Sequence, residues 1–225
     1  MNTTAIVIGA TGLTGRELVA QLSTDSEYHA IIAVVRKPYD FKCERVSTLT
    51  VDFDSWVDNP SLLAGRLAPL IARESRIHAF CCLGTTIRVA KSKDAFRHVD
   101  FEYPVAFARA LRELGATHLG VVSALGANAE SRVFYSRVKG EMENAIIGIS
   151  LPSIHFVRPS FLEGDRAENR LGEKLGITAA KLISPLLIGP LRRYRAVSVV
   201  RVAQALRDQA ARGGNGVHVS ESETL

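Results

Sequence analysis

Cysteine, methionine and tryptophan are scarce in this chain of 225 residues, at three, two and one, and aromatic residues make up only 7%. Three cysteines (Cys43, Cys81 and Cys82, the last two adjacent) cannot build a disulfide framework and read as reduced thiols. No stretch of about 18 residues is free of charges and helix breakers, which excludes a membrane-spanning helix. The start, Met1-Asn2-Thr3-Thr4 leading into Ala5-Ile6-Val7-Ile8-Gly9, lacks a basic region and a cleavage site, so no signal peptide is expected. Together these absences point to a cytoplasmic protein. Internal repeats, low-complexity tracts and linkers rich in Ser, Gly or Pro are missing too, so residues 1–225 are expected to form one domain. With 47% apolar and 23% charged residues, that domain can bury a substantial core and is not intrinsically disordered.

The net charge of +5 is unevenly spread. Between Arg166 and Arg212 lie ten basic and three acidic residues, an excess of seven, so the remainder is slightly acidic. A basic third of this kind suits an anionic cofactor or substrate as well as nucleic acid. Apart from Tyr194 it carries no aromatic residues between its charges, and without a stacking platform no nucleic-acid partner is expected.

Short apolar runs alternate with amphipathic stretches along the chain. Strands are predicted at Ala5–Ile8, Ile31–Val35, Val46–Val51, Ala79–Leu83, Leu119–Ser123, Ile154–Val157 and Val217–Val219. Helices are predicted at Leu13–Leu22, Leu62–Glu74, Phe101–Leu114, Phe134–Ile147 and Val199–Arg212. The recurrence of Ala106, Phe107, Ala110, Leu111 and Leu114 gives one of them a sheet-facing stripe. Strands separated by helices imply right-handed crossovers, hence an α/β fold with a doubly wound parallel sheet of Rossmann type. Residues 162–198 break the rhythm and are expected to cover the ligand crevice.

Gly9-Ala10-Thr11-Gly12-Leu13-Thr14-Gly15 follows the first strand and opens the first helix. In that setting Gly9 makes the tight turn, and Gly12 lets the backbone approach a pyrophosphate at the helix N-terminus. Gly15 lets the helix lie against the sheet, and Thr11 and Thr14 add hydroxyls. The second strand ends in Arg36-Lys37, where an NAD site would carry an acid, so a 2′-phosphate and hence NADP(H) is the expected ligand. Asp52 and Phe53, after the third strand, are candidates to flank the adenine. Tyr135 and Lys139 stand four apart on one helical face, and Ser123 precedes Tyr135 by twelve positions. An ammonium beside a phenol favours the phenolate, and a serine hydroxyl can donate to a carbonyl oxygen as negative charge develops on it. The six histidines show no metal-ligand spacing, and no metal is expected. Val121-Val122-Ser123-Ala124-Leu125 lacks the flanking glycines of a hydrolase elbow.

The glycine loop, the serine and the YxxxK pair together resemble the short-chain dehydrogenase/reductase superfamily. Cys81-Cys82-Leu83-Gly84-Thr85-Thr86, Val99-Asp100 and Tyr135-Ser136-Arg137-Val138-Lys139-Gly140-Glu141 resemble, more narrowly, its atypical branch. That branch is typified by the human Tat-interacting protein of thirty kilodaltons and its bacterial oxidoreductase-like relatives. The resemblance runs to about Arg158-Pro159-Ser160 and implies a single NAD(P)-binding Rossmann domain. By that resemblance Gly9, Thr11, Gly12, Leu13, Thr14 and Gly15 hold pyrophosphate, while Arg36 and Lys37 take the 2′-phosphate. Leu83, Gly84 and Thr85 line the ribose side, where Lys139 also binds, and Arg158, Pro159, Ser160 and Phe161 meet the nicotinamide amide. The asparagine that many reductases place on the fourth helix is missing, with Asp100 in that region. Two functions follow as expectations. One is an NADP-dependent oxidoreductase acting on a small carbonyl, alcohol or quinone with Tyr135 as acid/base; the other is an NADPH-sensing regulator acting through a protein partner. Either would be a monomer or homodimer.

Overall fold

A computed structural model describes residues 2–163 and 195–225 of the chain. The centre of the fold is dictated by the most apolar runs. Strand β1 (Thr3–Ile8) is buried along its whole length, and β2 (Tyr28–Val35) along its second half. Strands this uniformly buried must be covered on both faces, as in a parallel sheet with helical crossovers. The other strands of the main sheet are β3 (Val46–Thr50), β4 (Arg76–Cys81), β5 (His118–Val122), β6 (Ser153–Arg158) and β9 (Gly216–Glu221). Their order is β3-β2-β1-β4-β5-β6-β9, every pair parallel, which is the doubly wound arrangement expected. Each predicted strand matches one of these seven within a few residues.

Helices α1 (Leu13–Thr24) and α8 (Val199–Arg212) cover one face, where Leu18, Leu22, Val202 and Leu206 meet Val7, Ile31 and Phe80. The other face is covered by α3 (Ser61–Leu67), α6 (Tyr103–Glu113) and α7 (Phe134–Gly148). There Phe107, Leu111 and Met142 pack on Ile6, Ile32 and Val121. The helix predicted over Leu62–Glu74 gives way after Leu67 to a single 3₁₀ turn at Ala68–Leu70, because Pro69 cannot continue the ladder. Three short helices escape a periodicity argument: α2 (Asp54–Val57), α4 (Ile87–Ala90) and α5 (Lys93–Arg97). A π-helical turn at His98–Glu102 joins α5 to α6. Its extra residue accompanies a carboxylate turned fully inward, that of Asp100.

On the α1/α8 face, polar side chains bridge strands of the sheet. Tyr28 is hydrogen-bonded to His78, His118 to Ser153 and His155 to Ser220, at 3.1, 3.0 and 2.8 Å. The segment expected to cover the crevice lies mostly outside the described residues. Its two ends meet beside β6, where β7 (Leu162–Glu163) pairs with β8 (Val197–Ser198) in a parallel two-stranded ladder.

Candidate functional site

In a doubly wound sheet, ligands bind at the carboxyl edge where strand order reverses, here between β1 and β4. The sequence candidates all fall on that edge. Gly9 follows β1, Arg36 follows β2, Asp52 lies beyond β3, Cys82–Thr85 follow β4, Ser123 follows β5 and Pro159 follows β6. The glycine loop crosses the reversal point itself.

Two of its glycines serve packing. Gly9 turns with φ +76°, and a Cβ on Gly15 would fall 2.1 Å from the Gly9 carbonyl oxygen, so α1 lies directly on the turn. Gly12 is different. It is exposed, has ordinary extended backbone, and an added Cβ would meet nothing closer than 3.3 Å. A side chain there would crowd the Gly9 carbonyl oxygen without overlapping it, so the turn constrains Gly12 less than Gly15. No side chain caps α1, so its first N–H groups and the positive end of its dipole face that space, a setting suited to a pyrophosphate. Thr11 is exposed and Leu13 half-buried, whereas Thr14 is buried. Arg36 and Lys37 are exposed beyond β2. The Phe53 expectation needs correction. Its ring is 2% exposed, packed against Trp56 and Tyr103 with centroids 5.4 Å away, and the Arg36 guanidinium lies 6.0 Å from its centroid. The ring is committed to the core, and only Asp52 of the pair reaches the surface.

Beyond β4, Leu83 and Thr85 are half-buried and Gly84 is exposed. The Thr85 backbone N–H donates to Asp100 Oδ2 at 2.9 Å. The other Asp100 oxygen lies 2.7 Å from Lys139 Nζ, and both side chains are almost fully buried. Burial alone would lower the Lys139 ammonium, but Asp100 and Tyr135 outweigh it and hold the amine above the ordinary lysine value. Lys139 thus stays charged, joined to the ribose-side turn through Asp100. One turn earlier on α7, Tyr135 is half-buried with its ring 5.5 Å from that of Phe96. Its hydroxyl has no hydrogen-bond partner among the described residues. The loop before α7 presses so closely on the helix that a Cβ on Gly140 would fall 2.2 Å from the Ala129 nitrogen. This contact fixes Tyr135 and Lys139 against the sheet edge. Burial pushes the Cys81 thiol up to about 11 and raises Cys82 further, so neither is a ready nucleophile.

Ser123 departs from its expected role. Its hydroxyl donates to Glu143 at 2.5 Å instead of pointing at an open crevice. Glu143 is buried and accepts two further bonds from Arg158, from Nε at 3.0 Å and a terminal nitrogen at 2.6 Å; Arg158 also binds Glu221 at 2.8 Å. Hydrogen bonding to Glu143 and the charge of Glu221 hold Arg158 above its ordinary range. The nicotinamide-amide assignment changes accordingly. The Arg158 guanidinium is engaged by these carboxylates, and the Pro159 carbonyl accepts from Leu125 N–H at 2.9 Å. Ser160 donates its hydroxyl to the Arg195 carbonyl and its N–H to Ser222 Oγ. Of these four residues, only Phe161 presents an open side chain. Sequence reading missed Glu143, although its position four residues after Lys139 continues the Tyr135 face of α7.

No family model matches the chain. It is 30% identical to FMP52 of Lodderomyces elongisporus over 99% of its own length and 95% of that protein's. It is also 30% identical to rat HTATIP2, over 96% of this chain and 84% of that one. Among solved structures, ElxO with NADP bound superposes with a TM-score of 0.68 at 13% identity, covering the whole of this chain and 99% of that one. That likeness bears out the Rossmann-type fold. The FMP52 relative is named a mitochondrial protein, which overturns the cytoplasmic expectation. Free thiols argue only against an oxidising compartment and do not single out the cytoplasm.

Proposed function

The chain belongs to the family of HTATIP2 and the FMP52 proteins, and from that premise we propose that it is an NADP(H)-dependent oxidoreductase acting on a small carbonyl, alcohol or quinone. The observation that carries this reading is the juxtaposition at one sheet edge of an open, uncapped glycine loop and a Tyr135–Lys139 face anchored through Asp100.

The residues divide the work. The α1 N-terminus around Gly12 would hold the pyrophosphate, Arg36 and Lys37 the adenosine phosphate, and Lys139 with the Leu83–Thr85 turn the ribose. NADP(H), when bound, supplies or accepts the hydride. Tyr135 moves the proton at the substrate oxygen, through a hydroxyl that no described protein group occupies. Lys139 keeps its charge one helical turn from Tyr135, on the same face of α7. Ser123 would have to leave Glu143 before it could donate to a substrate oxygen.

That engagement of Ser123 favours a second reading, a regulator that binds NADPH and responds through a protein partner with little turnover. One panel separates the two. Wild type and Tyr135→Phe are offered aldehydes, ketones and quinones while NADPH absorbance is followed. An oxidoreductase turns over at least one substrate and loses about 10²–10⁴-fold in Tyr135→Phe, with cofactor affinity nearly unchanged. Turnover that Tyr135→Phe leaves intact refutes the acid/base assignment. NADPH binding without any turnover selects the regulator.

A further inference from the structure

The adenosine side of the crevice carries a network that the reading above leaves unused. His98, in the π-helical turn, places both ring nitrogens against carboxylates. Nε2 lies 2.7 Å from Asp54 Oδ1, and Nδ1 is against Glu102 Oε2. Tyr103 donates its hydroxyl to the same Asp54 oxygen at 2.5 Å, and its ring centroid is 4.5 Å from that of His98. Asp54 opens α2 immediately after Asp52-Phe53, and Arg36 lies over Phe53. Hydrogen bonds from Tyr103 and His98 lower the Asp54 carboxyl, and the Arg36 charge adds to this. The arginine proposed to take the 2′-phosphate thus lies 6.0 Å from the ring of Phe53, the residue between Asp52 and Asp54, and Asp54 is shared with an imidazole.

We infer that His98 is a specificity-determining residue, which sets how strongly Arg36 recognises an adenosine 2′-phosphate by occupying or releasing the Asp54 carboxylate. Protonated His98 engages Asp54 and leaves the Arg36 charge to an incoming phosphate. Neutral His98 no longer offsets Asp54, whose carboxylate then competes for Arg36 and repels the phosphate. The groups that decide this balance are Asp54 on α2, Glu102 and Tyr103 beside His98, and Arg36 with Asp52 at the strand ends. Burial alone would lower the His98 imidazole, but its bonds to Glu102 and Asp54 prevail and hold it above the ordinary histidine value. Asp54 is held below the ordinary carboxylate value, first by the Tyr103 hydrogen bond and then by His98. The engaged form is therefore favoured toward acidic solution and the released form toward alkaline solution.

This inference rests on the NADP(H) reading, and its test separates the two. Affinities for NADP⁺ and NAD⁺ are measured by calorimetry at about pH 6.5, 7.5 and 9 for wild type, His98→Gln and Asp54→Asn. The ratio of the two affinities is the readout, and ionisation of the phosphate itself, with a pKa of about 6, is common to all three proteins. In wild type the preference for NADP⁺ should fall about three- to tenfold on going alkaline, the scale of one partly exposed charge pair. His98→Gln should begin with the lower preference and show no such fall; Asp54→Asn should keep the higher preference throughout. Titration of the His98 imidazole by NMR should give a value above about 6.5 in wild type and a lower one in Asp54→Asn. Parallel curves for all three proteins overturn the inference and leave the cofactor reading standing. No preference for NADP⁺ in any of them, at any pH, overturns the reading and the inference with it.

Discussion

The glycine loop after β1 and the polar network after β5 occupy the same edge of the same sheet, yet they are built on opposite principles. Around Gly12 the structure leaves groups open: a side chain is missing, the first turn of α1 is uncapped and the surface is exposed. Around Glu143 the groups are closed on one another, with Ser123 and Arg158 converging on a carboxylate that is 4% exposed. An open site can be filled by a substitution at less cost to the fold, and what is lost is the ligand. A closed network loses stability when a member is removed, because the partner left behind is buried and unpaired. The Lys139–Asp100 pair combines both, closed against the protein on one side and one helical turn from the free Tyr135 hydroxyl on the other.

The largest effect should come from breaking the closed side. Arg158→Met strands the buried Glu143 carboxylate with the Ser123 hydroxyl as its remaining partner, and should cost about 3–5 kcal/mol in urea denaturation. Adding Glu143→Gln removes the stranded charge and should recover much of the loss. A single variant within about 1 kcal/mol of wild type would mean that the network is not closed in solution, and the contrast would fail.

The open side should show the reverse signature. Gly12→Val is expected to cost the fold much less than Gly15→Val and to weaken NADP(H) by about two orders of magnitude, the worth of two or so charge-assisted N–H contacts. Gly15→Val serves as its foil. The new Cβ would collide with the Gly9 carbonyl, so this variant should be destabilised whether or not nucleotide is present. Equal melting temperatures for the two variants would erase the distinction between a glycine kept for a ligand and one kept for packing.

What could be read from the sequence follows the same division. The loop was legible because its constraint is local: strand, glycine spacing and helix lie within a dozen residues. The central strands were legible because burial on both faces leaves continuous apolar runs such as Ile31-Ile32-Ala33-Val34-Val35. The network was not legible, since Ser123 and Glu143 are twenty residues apart and nothing in either neighbourhood announces the other. Phe53 misled for a related reason: its position in the chain matched an adenine-flanking residue, but Trp56 and Tyr103 draw its ring into the core. Helices as short as α2 and α4 leave no periodicity to find.

The histidines on the α1/α8 face of the sheet sharpen the comparison with a closed region that carries no charge. Burial holds His78 and His155 down at about 4 and His118 at about 3. In the unfolded chain the same imidazoles take up protons below about pH 6.5. Between those limits the unfolded state binds more protons than the folded one, so stability must fall as the solution is acidified. The slope should approach about 1.4 kcal/mol per pH unit for each histidine between pH 6 and 5. Urea midpoints for wild type and His118→Gln test it. The variant should start lower, having lost the bond to Ser153, and decline less steeply. Parallel declines would remove His118 from the account.

The smallest effect separates the two descriptions of Ser123. If the hydroxyl belongs to the closed network, Ser123→Ala removes one hydrogen bond from a carboxylate that keeps both bonds from Arg158, and should cost about 1 kcal/mol. NADP(H) affinity should not move, because no cofactor contact is deleted. Glu143 then has no reason to turn, and the Tyr135 environment is left as it was. If the hydroxyl instead swings out to a substrate oxygen, stability is nearly unchanged and turnover falls by more than about tenfold, as for the loss of one positioned donor. Both quantities are measured on one preparation, by urea midpoint and by NADPH oxidation with whichever carbonyl substrate Tyr135→Phe fails to reduce. A stability loss with full turnover assigns Ser123 to the fold. Turnover lost at constant stability would show that the bond to Glu143 is a resting position, which the serine leaves when substrate arrives.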